Sequence, residues 1–131
     1  MEVLKDQPIK LEIEGEEWET LDEKKASEVS EALADPIRRW IYQELGKGSL
    51  RQAELAKKAS QALGKKITNV LIRYHLNKLA SAGLVRFEKD EARPRVKVVH
   101  RSCEVRIQVR PFSPPSAGLE EVLSGALRRR G

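Results

Sequence analysis

Hydrophobic and polar positions alternate strictly near the start of the chain. Ile9, Leu11 and Ile13 stand against Lys10, Glu12 and Glu14, then come Gly15, Trp18 and Leu21. Period two predicts a short strand that turns back as a hairpin at Gly15. From Asp22 to Leu33 the spacing changes. Ala26, Val29, Ala32 and Leu33 recur at three- and four-residue steps, which predicts a helix with an acidic wet side. Asp35-Pro36 then reads as a helix start, because an aspartate can accept from the first free amides and a proline at the first helical position loses no hydrogen bond. Ile37, Trp40, Ile41 and Leu45 give this second helix its apolar face, and Gly46 lies just past its end.

Ser49-Leu50-Arg51-Gln52 has the spacing of a capping box and predicts a third helix starting at Ser49, with Leu55, Ala56, Ala59, Ala62 and Leu63 before Gly64. Thr68 is the expected N-cap of a fourth helix, whose stripe is Ile72, Leu76, Leu79 and Ala80 and whose end is Gly83-Leu84. Leu84 to Lys89 and Arg95 to Arg101 then form a hairpin around a polar turn at Asp90 to Pro94. Beyond it the apolar parity flips. Val96 and Val98 are even but Val105, Ile107 and Val109 are odd, so a bend near Ser102-Cys103 should separate two strands. Pro111, Pro114 and Pro115 end the sheet, and Leu119, Val122, Leu123, Ala126 and Leu127 resume helical spacing before Arg128-Arg129-Arg130.

Helices followed by a two-stranded hairpin, with a short turn between the third and fourth helices, make the layout of an α+β winged helix-turn-helix, helices with a small antiparallel sheet. We divide the 131 residues into an N-terminal strand extension (1–21), a winged-helix domain (22–110) and a Pro-rich connection with a C-terminal helix (111–131) expected to serve dimerisation. On a helical wheel centred on Ile72, the outward face of the fourth helix carries Val70, Arg73, Tyr74, Asn77 and Ser81, with Lys66 and Lys78 flanking. Any amphipathic helix has a polar outer face, but this one has chemistry suited to base edges. Arg73 can offer two donors to guanine, Asn77 can pair with adenine, and Val70 and Tyr74 can touch a thymine methyl or a sugar. Lys65, Lys66, Thr68, Asn69 and Lys78 are placed for phosphate. Lys89, Arg93, Arg95 and Lys97 add a basic wing, against which Asp90 and Glu91 at the same tip would act.

Charge sharpens this picture. The chain holds 25 Lys plus Arg and 20 Asp plus Glu, but residues 1–35 carry four lysines and twelve acids, so residues 36–131 alone have a net charge of +13. A segment that basic attracts polyanions by counterion release.

Three stretches resemble the ArsR-like winged-helix transcription regulators, especially archaeal members. They are Glu31-Ala32-Leu33-Ala34-Asp35-Pro36-Ile37-Arg38-Arg39, Leu50-Arg51-Gln52-Ala53-Glu54-Leu55-Ala56 and Tyr74-His75-Leu76-Asn77-Lys78-Leu79-Ala80-Ser81-Ala82-Gly83-Leu84-Val85. The resemblance covers roughly residues 27–101 and implies a regulator that reads double-stranded DNA through Thr68, Asn69, Arg73 and Tyr74, with Asn77 and Lys78 next along the helix. Two features depart from the family: Lys57 to Ile67 looks longer than the usual turn, and the flanking strands at Ile9–Ile13 and Val105–Val109 lie outside the common core.

Many relatives sense metals, but Cys103 is the single cysteine, and His75 and His100 have only Glu104 as a carboxylate, histidine or cysteine four residues away. No metal and no cofactor are expected, and His75 is expected to be a packed, hydrogen-bonded histidine. The chain contains no P-loop, Gly-x-Ser-x-Gly, His-Glu-x-x-His or Cys-x-x-Cys, so catalysis is not expected. The charged N-terminus, the lack of an apolar run near ~18 residues and the single cysteine predict a cytoplasmic protein without a membrane span. The expected partners are duplex DNA and a second copy of the chain, with a protein-docking module or an RNA binder as the alternatives.

Overall fold

The structure, a computed structural model, describes residues 8–112. It opens with the expected hairpin: β1 (Lys10–Ile13) pairs antiparallel with β2 (Glu16–Glu19), placing Leu11 opposite Trp18. Glu14 and Gly15 between them both have positive φ, 52° and 81°, the requirement of a two-residue turn matched to the twist of the flanking strands. Thr20 closes the open end, its amide donating to the Ile9 carbonyl at 2.8 Å and its hydroxyl accepting from the Ile9 amide at 2.9 Å.

Helices α1 (Glu23–Ala32), α2 (Pro36–Leu45), α3 (Gln52–Leu63) and α4 (Asn69–Ser81) follow, with β3 (Leu50–Arg51) just before α3. Two helices start where their expected caps stand: Asp35 accepts from the Ile37 and Arg38 amides, and Thr68 from the Leu71 amide. Helix α1 is capped as well, by Asp22, which accepts from the Lys25 amide.

The third start differs from expectation. Leu50 and Arg51 form a short strand, so α3 begins at Gln52 with Arg51 as its N-cap, and the Glu54 carboxylate accepts from the Arg51 amide. Ser49 does not cap; its hydroxyl hydrogen-bonds Nδ1 of His100 across the sheet instead. The apparent extra length between α3 and α4 belongs to α3, leaving only residues 64–68 as the connection. Gly64 (φ 66°) ends α3, and Gly83 (φ 78°) follows α4 while the Leu84 amide reaches back to the Leu79 carbonyl.

β4 (Val85–Lys89) and β5 (Lys97–Arg101) form the hairpin, and β3 joins on the far side of β5, giving the order β3-β5-β4, all antiparallel. Ile41, Leu55, Ile72, Leu76, Leu79, Leu84 and Val99 are fully buried, so α2, α3, α4 and the sheet share one core. Each such side chain contributes about 1.5–3 kcal/mol by leaving water. Tyr42, absent from the expected apolar face of α2, is buried as well, while Trp40 is only half-buried.

The expected strand over Val105–Val109 does not form. The sheet ends at Arg101, as the parity flip requires, but residues 102–112 pair with no strand among the described residues. A period-two pattern becomes a strand only where an edge is offered to it. The expected C-terminal helix lies outside the described residues.

Candidate nucleic-acid interface

Helix α4 is gripped from behind. Ile72, His75, Leu76 and Leu79 are buried, whereas Asn69, Val70, Arg73, Tyr74, Asn77, Lys78 and Ser81 are exposed, as the wheel predicts. Val70 and Tyr74 are the telling pair, an apolar and an aromatic side chain on the outer face that stay 68% and 52% exposed. Isolated exposed apolar residues are ordinary; two flanking an arginine on one turn make a mixed surface able to meet a base edge and a methyl together.

Behind α4, Arg38 at the start of α2 adds a polar contact to the packing of Ile72, Leu76 and Leu79. Its Nε donates to the Ala32 carbonyl at 2.6 Å, and one terminal nitrogen lies 3.2 Å from Nδ1 of His75. A guanidinium can only donate, so Nδ1 accepts and the neutral ring carries its proton on Nε2. His75 is thus the packed, hydrogen-bonded histidine expected. Burial holds its pKa below the usual histidine range; Arg38 and Lys65 push it the same way and Asp35 opposes them. Burial alone would raise the pKa of the Asp35 carboxyl, but the Arg38 and Ile37 amides donating to it, with the charge of His75 once that ring is protonated in acid and the charge of Arg38, bring it below the usual carboxylate range.

The outer face has two flanks. On one, Asn69 and Arg73 join Gln52 of α3 and Arg95 and Lys97 of the hairpin around an open cleft of about 360 Å³. Gln52 ties the two helices together there, its amide nitrogen donating to the Asn69 carbonyl at 3.4 Å. On the other flank, Tyr74 and Lys78 share a cleft of about 370 Å³ with Arg38, Glu28 and Glu31. Lys78 Nζ stands 5.7 Å from the Tyr74 ring centroid, and the same ring meets His75 edge-on. The basic groups therefore gather toward the wing, and the acids of α1 border the far side.

Of the other residues singled out from the sequence, Lys65, Lys66 and Thr68 occupy the turn before α4 and are exposed. Lys89 pairs with Lys97 in register on β4, Arg93 sits at the hairpin tip, and neither Lys89 nor Arg93 lines the wing-side cleft. Asp90 is not a free repelling charge at that tip. Both Nε and a terminal nitrogen of Arg51 hold its Oδ2, at 2.9 and 2.8 Å, and its Oδ1 accepts from the Ala92 and Arg93 amides. The Ala92 amide above all, then Arg51 and last the Arg93 amide, keep its pKa below the carboxylate range against a smaller desolvation penalty. Gln52 and Arg51 carried no sequence signal beyond the misplaced cap.

No three His, Cys, Asp or Glu side chains gather as a metal-ligand set among the described residues. His100 is shared between Ser49 and Glu88, and Cys103 Sγ faces the Gly83 carbonyl. No described helix is long and apolar enough to cross a membrane.

Solved structures share this arrangement. A homodimeric winged helix-turn-helix DNA-binding domain from Mycobacterium bovis, a possible ArsR-family transcriptional regulator, matches with a TM-score of 0.51 and 17% identity over 82% of this chain and 77% of its own. The fold is the winged helix-turn-helix. NolR from Sinorhizobium fredii has the same winged-helix arrangement, with a TM-score of 0.51 and 21% identity over 82% of this chain and 84% of its own. No protein-family model and no curated protein sequence matches. In winged-helix terms α3 and α4 are the helix-turn-helix and β4-β5 is the wing, and the resemblance read from the residues is met again in the fold of these neighbours.

Proposed function

We propose that the protein is a sequence-reading regulator that inserts the outer face of α4 into the major groove of duplex DNA and lays its wing along the neighbouring phosphates. The observation that carries this reading is the convergence of Asn69 and Arg73 from α4 with Arg95 and Lys97 from the wing on one open cleft. Arg73 and Asn77 are the base readers, with Val70 and Tyr74 against methyl or sugar. Lys65, Lys66, Thr68, Asn69, Lys78, Lys89, Arg93, Arg95 and Lys97 are the phosphate contacts. Glu28 and Glu31 beside Tyr74 and Lys78 weaken phosphate attraction on that side, leaving Lys78 as the one proposed phosphate contact there, so the duplex leans toward the wing. A cytoplasmic location fits a DNA reader of this kind.

The functional unit on this reading is a homodimer. An apolar groove of about 680 Å³ lies between the N-terminal hairpin, α1, α2 and the segment after β5, with Leu11, Trp18, Leu21 and Val105 in its lining. Leu11 and Leu21 there are 43% and 47% exposed. A second copy covering that face would make a symmetric dimer, and a palindromic site one helical turn apart would need its two α4 helices about 34–36 Å apart. The Mycobacterium bovis neighbour is itself homodimeric. The test is a gel shift with random duplex DNA, duplex RNA and no nucleic acid at two salt concentrations. Retardation of DNA that weakens with salt supports the reading; retardation of RNA alone, or of neither, rejects it.

A further inference from the structure

Asp90 occupies an unusual place for an acid in a DNA-binding face. It lies at the base of the wing tip and its side chain is only 12% exposed. Its two oxygens do different work: Oδ2 takes both Arg51 donors, while Oδ1 takes the Ala92 amide at 2.9 Å and the Arg93 amide at 3.3 Å. The Asp90 amide also donates to the Val96 carbonyl, so main chain and side chain of this residue together make three of the hydrogen bonds that close the turn from 90 to 96; the Val96 amide adds another to the Arg93 carbonyl. At the other end of the ion pair, Arg51 is the N-cap of α3 and is paired with Val98 of β5.

We propose that Asp90 is the positioning residue of the wing: by joining Arg51 to the turn amides it fixes Arg93 and Arg95 relative to α3 and α4. The inference rests on the DNA-reading function above and adds the element that sets its wing contacts. Without the carboxylate, two turn amides lose their acceptor and the wing tip loses its side-chain tie to Arg51, leaving only the β3–β5 pairing further along the sheet. The arginines would then have to be ordered at the moment of binding, and that ordering entropy would subtract from affinity. Charge alone predicts the reverse, because removing an anion from a DNA-facing surface strengthens phosphate attraction. The sign of the effect therefore separates a positioning role from a bystander charge.

The test compares the full-length protein with Asp90→Ala, reading amide exchange at Ala92 and Arg93 without DNA and affinity for random duplex DNA across a salt series. The expected result is faster exchange at those two amides with Leu76 and Leu79 amides still protected. Affinity should fall several-fold on all sequences, and the salt slope should drop by about 0.9 for each wing cation no longer held on a phosphate. Arg51→Gln should speed exchange less, since it leaves the Oδ1 acceptor in place. Unchanged exchange at Ala92 and Arg93, or equal or tighter DNA binding by Asp90→Ala, would overturn the proposal. Wild-type protein that fails to bind DNA would reject the functional reading instead, while the exchange data would still decide whether Asp90 holds the wing.

Discussion

A terminal guanidinium nitrogen of Arg38 stands 3.2 Å from Nδ1 of His75, which joins the first turn of α2 to the buried side of the helix that carries the reading face. The same arginine holds the Ala32 carbonyl at the end of α1. One side chain thus bridges three helices, and its contact to α4 holds only while Nδ1 of His75 is unprotonated.

That condition gives a pH dependence. His75 has its pKa lowered in the folded state, chiefly by burial, so between its folded and unfolded values the unfolded chain binds more protons. The stability that rests on the neutral ring is present above the unfolded value of about 6.5 and is lost as the pH falls through the lowered folded value. The urea midpoint should drop from about pH 7.5 to about pH 5.5, with a shallower slope in His75→Asn, whose side chain can accept from Arg38 without titrating. Equal slopes would show that His75 does not control this range. Asp35 acts in a separate, more acidic window, since its lowered carboxyl loses its contribution only as the pH falls below about 4.

The reading face predicts two different kinds of loss. Arg73→Ala should cost about 1–3 kcal/mol on the preferred sequence and relax the preference at one base pair. Lys66→Ala should weaken all sequences alike and lower the salt slope by about one unit. Quantitative gel shifts on preferred and random duplexes check both, and equal losses on the two for Arg73→Ala would contradict its assignment to base reading.

Tyr42 anchors the chain after β5. Its hydroxyl donates to the Cys103 carbonyl at 2.6 Å and accepts from the Val105 amide at 3.0 Å, while Arg101 lies over its ring at 4.9 Å. Tyr42→Phe should cost about 1–3 kcal/mol by leaving two part-buried backbone groups unpaired. Chemical denaturation measures the loss, and faster amide exchange at Val105 should accompany it.

The proposed dimer face predicts that Leu11→Asp gives a monomer by light scattering at concentrations where the wild type is a dimer. Leu11 is 43% exposed in the single chain, so the monomer's own stability should shift by less than about 0.5 kcal/mol. A wild type that stays monomeric at high micromolar concentration would remove the palindrome from the account.

The parts of the fold legible in the sequence are those decided by neighbours in the chain. Asp35-Pro36 and Thr68 announce two helix starts because each side chain caps amides within three residues, the apolar spacing announces α1, and the wheel of α4 sorts its buried and exposed faces for the same local reason. The start of α3 was hidden because the Ser49 hydroxyl is taken by His100, 51 residues away. Asp90 read as a repelling charge because its partner Arg51 is 39 residues distant. The alternation at Val105–Val109 suggested a strand, but the pattern carries no information on whether an edge is there to receive it. At the candidate site, the outward residues of α4 were legible; their sharing of a cleft with Gln52, Arg95 and Lys97 was not, because that depends on how the wing folds back.

Selection of bound sequences from a random duplex pool tests the central claim most directly. The account predicts enrichment of an inverted repeat with half-site centres about one helical turn, 10–10.5 base pairs, apart, and loss of preference at one base pair in each half-site when Arg73→Ala is used for the selection. A pool that returns unenriched, or one whose enriched sequence is the same for wild type and Arg73→Ala, would contradict it.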